Sequence, residues 1–179
     1  MSPAAIEMAA PMAAQAHERE CSREAVMDHE GRLLRIHYTD TGSRTPHAPA
    51  VALLHGSGPG TTGWSAFALQ RPALQDAGFR LITPDLPGWG RSDGVVCKED
   101  RSQFNARALH AVLDAAGVHE PVHLVGTSMG AHSAVAVALA TVPSRIRRSP
   151  MKLLAALPST RRPPACLLMP PSPLIRPFR

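Results

Sequence analysis

The sequence predicts an α/β fold with a mostly parallel sheet covered by helices on both faces. Three short apolar runs, AVALL (Ala50–Leu54), RLITP (Arg80–Pro84) and PVHLV (Pro121–Val125), have the length and continuity of strands buried on two sides. Longer stretches of helical periodicity follow or separate them. Strands that alternate with helices form parallel sheets with a helix on each crossover.

The elements follow in order. Residues 1–27, Ala/Met-rich and then mixed in charge, read as a flexible N-terminal arm. Ala25 to Tyr38 reads as a strand pair, AVMDHE and RLLRIHY, turning at Glu30-Gly31. Gly56 stops the run Ala50–Leu54 and opens a Gly-rich loop, after which a helix is expected around Phe67–Asp76. The run Arg80–Pro84 ends in the turn-rich PDLPGWGRSD. Ser102–Ala116 reads as a helix with Phe104, Ala108, Ala111, Val112 and Ala115 on its apolar face. Pro121–Val125 is followed by an Ala-rich helix, Met129–Ala140.

Composition narrows the function classes. The chain of 179 residues is 44% hydrophobic and 18% charged, which is globular rather than disordered. No run of apolar residues is long enough for a spanning helix. The N-terminus has no basic opening and carries Glu7 in its apolar stretch, which argues against a secretory signal. Cys21, Cys97 and Cys166 are widely spaced and include no CxxC, so no zinc site or disulfide framework is expected. These readings place the chain in the cytoplasm. The net charge of +5 does not mark a nucleic-acid binder, because residues 1–142 hold 11 Lys/Arg against 14 Asp/Glu. Residues 143–179 hold 8 basic residues, no acidic ones and 9 of the 18 prolines.

The strongest chemical signal is Gly126-Thr127-Ser128-Met129-Gly130, a G-x-S-x-G between a strand and a helix. A serine on so sharp a turn has a strained backbone, and side chains at the flanking glycines would collide with the neighbouring strand and helix. The helix start behind Ser128 directs free N–H groups at a developing oxyanion. The loop His55-Gly56-Ser57-Gly58-Pro59-Gly60-Thr61-Thr62-Gly63-Trp64 has two readings. It is either an oxyanion loop opposing the elbow, or a dinucleotide fingerprint, Gly58-x-Gly60-x-x-Gly63, with Asp85 at about the distance of a ribose-binding acid. Pro59 weighs against the second reading, since it removes a donor from the phosphate cradle. So does the elbow, which an NAD-dependent oxidoreductase leaves unexplained.

Together LLHGSGPGTTGW, PDLPGWGRSD and HLVGTSMGAHS resemble the α/β-hydrolases that cleave carbon–carbon bonds in meta-cleavage products, the 2-hydroxy-6-oxo-dienoates of aromatic-compound degradation. The resemblance spans about residues 30–146. It implies the N-terminal part of an α/β-hydrolase fold, with residues 28–146 as the domain portion. It implies Ser128 as the catalytic serine and the amides of Ser57 and Met129 as the oxyanion hole. Ser57, Gly58 and Thr127 would contact a small-molecule substrate, with no metal or cofactor and with neither nucleic acid nor membrane as partner. Family members are expected to be homo-oligomers. The chain departs from the family pattern at Thr127 and Ala66, where asparagines are usual, and this leaves carbon–carbon and ester cleavage both open.

Family order calls for an acid and a histidine after the serine. Beyond Ser128 there is no Asp or Glu, and the only histidine, His132, rides the elbow helix. His55 and His123 read as packing or backbone-bonding residues, and Asp85 and Asp93 as braces of a turn. The triad is therefore incomplete, and the chain is expected to have at most the weak activity that a residual oxyanion hole leaves. The abrupt change of composition near residue 147 is read as out-of-frame translation of a truncated hydrolase, with a genuine basic, Pro-rich binding tail as the alternative. The fifth strand is expected to form an exposed edge, giving a poorly soluble chain.

Overall fold

The computed structural model describes residues 15–96 and 98–139, together with the backbone of Leu154–Ala155. The central sheet has the order β1-β2-β4-β3-β5-β6. Its strands are β1 (Ser22–His29), β2 (Arg32–Asp40), β3 (Ala50–Leu54), β4 (Arg80–Pro84), β5 (Val122–Gly126) and β6 (Leu154–Ala155). The β1–β2 hairpin and the β2–β4 pair are antiparallel, whereas β3 pairs in parallel with both β4 and β5. The helices are α1 (residues 15–21), α2 (Gly63–Ala66), α3 (Gln70–Asp76), α4 (Arg101–Ala115) and α5 (Met129–Leu139).

Alternation along β3 shows why the sheet needs two covering layers. Ala52 and Leu54 pack with Phe104, Leu109, Val112, Ala134 and Val137 under α4 and α5. Val51 and Leu53 point the other way, against Phe67, Leu74 and Phe79 from the α2–α3 side. Every residue of β3 is buried, which a strand with one wet face would not allow.

Three expectations change. The first strand starts at Ser22, because the β1–β2 register runs to Ser22 opposite Thr39, so ordered structure reaches back into residues 1–27. In α4 the buried set is Phe104, Asn105, Ala106, Ala108, Leu109, Val112 and Leu113, while Ala115 is exposed. The helix contacts β1, β2 and β4 on one side and α5 on another, so its covered arc is wider than a single apolar stripe. The fifth strand is not the edge of the sheet, because Val125 and Gly126 pair with Leu154 and Ala155 within the proline-free run 151–157. The remainder of residues 147–179, residues 1–14, Cys97 and Ala140 lie outside the described residues. Among the described residues, no helix is long and apolar enough to cross a membrane.

Candidate functional site

Ser128 sits where β5 breaks into α5, with φ of 51°, one of two non-glycine residues at positive φ among the described residues. It is exposed. The Thr127 amide donates to the Leu54 carbonyl at 3.0 Å, carrying the β3–β5 ladder one step past the strand. The Thr127 carbonyl then accepts from the Gly130 amide at 2.9 Å, closing the turn. The flanking glycines are forced by contact. A Cβ at Gly126 would lie 2.4 Å from the Gly130 carbonyl carbon, and one at Gly130 would lie 2.0 Å from the Leu54 carbonyl oxygen. Both collisions expected from the sequence are thus present. Ser133, buried one turn on, donates to the Met129 carbonyl at 2.9 Å and accepts from Asn105 at 3.0 Å, tying the start of α5 to α4.

The loop after β3 lies against the elbow. A Cβ at Gly56 would sit 3.3 Å from both the Ser128 Cβ and the Thr127 carbonyl oxygen. His55 is fully buried and fixes the loop's direction. Its Nε2 accepts the Leu86 amide at 2.9 Å, so the proton resides on Nδ1, which donates to the Gly56 carbonyl at 2.7 Å. The Gly56 carbonyl and the Ser57 N–H belong to one planar trans peptide. Holding the carbonyl toward buried His55 therefore turns the Ser57 N–H the opposite way. Neither the Ser57 nor the Met129 amide donates to another group among the described residues. Met129 is the first helical residue, where an N–H has no intrahelical partner.

Burial lowers the pKa of His55, opposed by its bond to Gly56 and by the charge of Asp85. The unfolded chain therefore takes up this proton first. Stability is expected to be complete above about pH 6.5 and to fall as pH drops below it toward the lowered folded value. Urea titrations across that interval should show this slope in the wild type and its loss in His55→Gln.

The downstream end of the loop is anchored as firmly. Thr62 caps α2 through a reciprocal pair of bonds with Ser65. Trp64 is buried under the Arg71 guanidinium, 3.3 Å from its ring centroid. Asp85 is almost wholly buried, and its Oδ1 accepts the Gly63 amide at 2.7 Å. Its Oδ2 accepts the Arg91 amide at 3.0 Å and His37 Nδ1 at 2.9 Å. Asp93 accepts from the Arg35 amide and guanidinium. Both aspartates are the braces expected. The dinucleotide reading is corrected here, since both Asp85 oxygens are committed to protein donors and Gly63 opens a helix of only four residues.

The loop and the elbow bring Gly56 and Thr127 beside Ser128, with Ser57 and Gly58 exposed next to Gly56. Ala66 lies apart from them, packed against Phe67 and Leu53. No described histidine bonds to Ser128. Both His55 nitrogens are occupied, His123 stacks edge-on against Phe79, and His132 is exposed. Among the described residues, no cluster of three or more His, Cys, Asp or Glu could hold a metal. A cavity of about 440 Å³ opens at the amino ends of β3, β4 and β5, lined by Ala50, Arg80, His119 and Pro121, at the opposite end of the sheet from Ser128.

Comparison with known proteins gives the family. A family model described as the alpha/beta hydrolase family matches residues 51–179. A 2-hydroxy-6-oxononadienedioate/2-hydroxy-6-oxononatrienedioate hydrolase of Burkholderia vietnamiensis is 52% identical over 117 residues, which are 65% of this chain and 39% of that protein. The protein of the same description from Escherichia coli K12 is 46% identical over 122 residues, 68% of this chain and 41% of its own. A mutant of the meta-cleavage product hydrolase of Pseudomonas fluorescens IP01, complexed with acetates, superposes with a TM-score of 0.57 at 28% identity, covering 73% of this chain and 44% of that one. The chain spans about two fifths of the length of these curated relatives.

Proposed function

We propose, on the premise that this chain belongs to the alpha/beta hydrolase family, that it is the N-terminal portion of a serine-dependent hydrolase that cleaves a carbon–carbon bond in a 2-hydroxy-6-oxo-dienoate. The observation that carries the reading is the exposed hydroxyl of Ser128 on a left-handed backbone, packed against the loop that turns the Ser57 amide outward. The descriptions of the relatives at about half identity supply the substrate class.

In this reading the dienol ketonises, and Ser128, or a water it activates, adds to the remote carbonyl. The Ser57 and Met129 amides receive the oxyanion. The carbon–carbon bond then breaks, and with water consumed the products are a carboxylic acid and a 2-hydroxydienoate. Ser57, Gly58 and Thr127 form the near wall of the substrate site. The base and its acid are not among the described residues, which in this reading supply the nucleophile and the oxyanion hole. The small-molecule substrate is its partner, with neither nucleic acid nor membrane involved. We place the protein in the cytoplasm and read its family members as homo-oligomers.

Decay of the coloured dienolate tests the reading. The chain is expected to retain a slow rate, on the order of 10³-fold over water, from the oxyanion hole and binding alone, and Ser57→Pro, which deletes one of the two oxyanion donors, should remove most of it. Equal decay in both proteins, or decay only of an aryl ester, would overturn the carbon–carbon assignment.

A further inference from the structure

A second serine of this chain has the partners that the first one lacks. Ser22 opens β1, His37 lies in β2 and Asp85 follows β4, so three adjacent strands deliver them. Ser22 is opposite Thr39, which makes His37 its diagonal neighbour on the same face of the hairpin. Ser22 Oγ lies 2.6 Å from His37 Nε2, and His37 Nδ1 lies 2.9 Å from Asp85 Oδ2.

The proton positions follow from the acceptors. Asp85 is held ionised. Burial opposes this, but the bonds from His37 and from the Arg91 and Gly63 amides outweigh burial and lower its pKa. A carboxylate only accepts, so Nδ1 carries the hydrogen, and a base at this position must take the Ser22 proton on Nε2, the nitrogen 2.6 Å from Oγ. The main chain that carries the imidazole is fixed on both sides. The His37 amide donates to Ser92 Oγ at 2.9 Å, and its carbonyl accepts the Asp85 amide at 2.9 Å. The side chains of His37 and Asp85 are 5% and 2% exposed, whereas Ser22 is half-buried and reaches the surface. Arg91 Nη1 stands 3.4 Å from Ser22 Oγ as a donor, and the same guanidinium pairs with the Glu18 carboxylate.

We propose that Ser22 is a second activated hydroxyl, a site of covalent modification by electrophiles of the phosphonyl and activated-acyl class, with His37 as its base and Asp85 as the group that orients the base. The arrangement satisfies the roles by which a serine–histidine–aspartate unit is recognised irrespective of chain order. With a fluorophosphonate, the Oγ–P bond forms as the P–F bond breaks. The hydroxyl proton passes to His37 Nε2, and fluoride leaves with the bonding pair. The inference is independent of the role given to Ser128.

The test treats the full chain with a fluorophosphonate and maps adducts by peptide mass spectrometry in the wild type, Ser128→Ala, Ser22→Ala and His37→Gln. Ser22 is expected to be modified in the Ser128→Ala protein on the order of 10²-fold faster than exposed Ser43, and His37→Gln should bring it down to the Ser43 rate. Should His37→Gln fail to fold, the wild type in denaturing urea replaces it. An activated Ser22 then slows to the Ser43 rate, whereas a serine that is merely accessible does not. Modification of Ser22 no faster than Ser43, or undiminished in His37→Gln or in urea, would overturn the proposal.

Discussion

Gly130→Ala is expected to destabilise the chain by about 4 kcal/mol or more, at the extreme of single substitutions. The new Cβ would lie 2.0 Å from the Leu54 carbonyl oxygen, 2.5 Å from its carbon and 2.7 Å from the His55 oxygen. All three atoms are backbone at the end of the central, fully buried strand β3, so no side chain can rotate away. The alternative is to lift α5, which carries Met129, off β3. That would also part Ser128 from Gly56. Gly117→Ala is the matched control. Gly117 has φ of +63° with nothing within 4 Å, so it should cost only the left-handed penalty of about 1–2 kcal/mol. Urea unfolding of the two variants measures the difference, and equal midpoints would refute the close-packing argument.

Asp85→Ala is the second large effect, expected at about 3–5 kcal/mol, because it strands buried donors whose charge partner is gone. His37 Nδ1 and the Gly63 and Arg91 amides would all lose their acceptor. Asp85→Asn, which keeps an acceptor, should cost less. The carboxyl has a lowered pKa in the fold, since its hydrogen bonds overcome the opposing effect of burial. Its stabilisation is therefore complete above the unfolded value of about 3.9 and is lost as pH falls through the lower folded one. Stability followed down to about pH 3 should show a steep acid limb in the wild type and a shallower one in Asp85→Asn. The two contributions are told apart by the variants, the upper slope being lost in His55→Gln and the acid limb reduced in Asp85→Asn.

Particular residues show what could be read along the chain and what could not. The strands Ala50–Leu54 and Arg80–Pro84 stand at their expected bounds, because continuous burial leaves an unbroken apolar run that glycine and proline punctuate. The beginning of β1 was hidden. SRE in Ser22–Glu24 carries no apolar alternation, and only pairing with His37–Thr39 makes it a strand. The apolar arc of α4 was misplaced at Ala115, because its width depends on β1 and α5 packing on separate sides. His37 and Asp85 are 48 residues apart, and although Asp85 lies in PDLPGWGRSD no one motif contains both, so nothing in spacing could have joined them.

The sequence alone determined the elbow, its strained serine and the glycine-rich loop. These depend on local sterics, on which residues tolerate positive φ or a bare Cα, and local sterics are written in consecutive residues. Tertiary structure alone decided which way the Ser57 amide faces and which histidine meets which aspartate. Those outcomes depend on the sheet order β1-β2-β4-β3-β5-β6, which brings groups distant along the chain to within hydrogen-bond reach. A hydrogen bond acts over about 3 Å in space, whatever the separation in sequence.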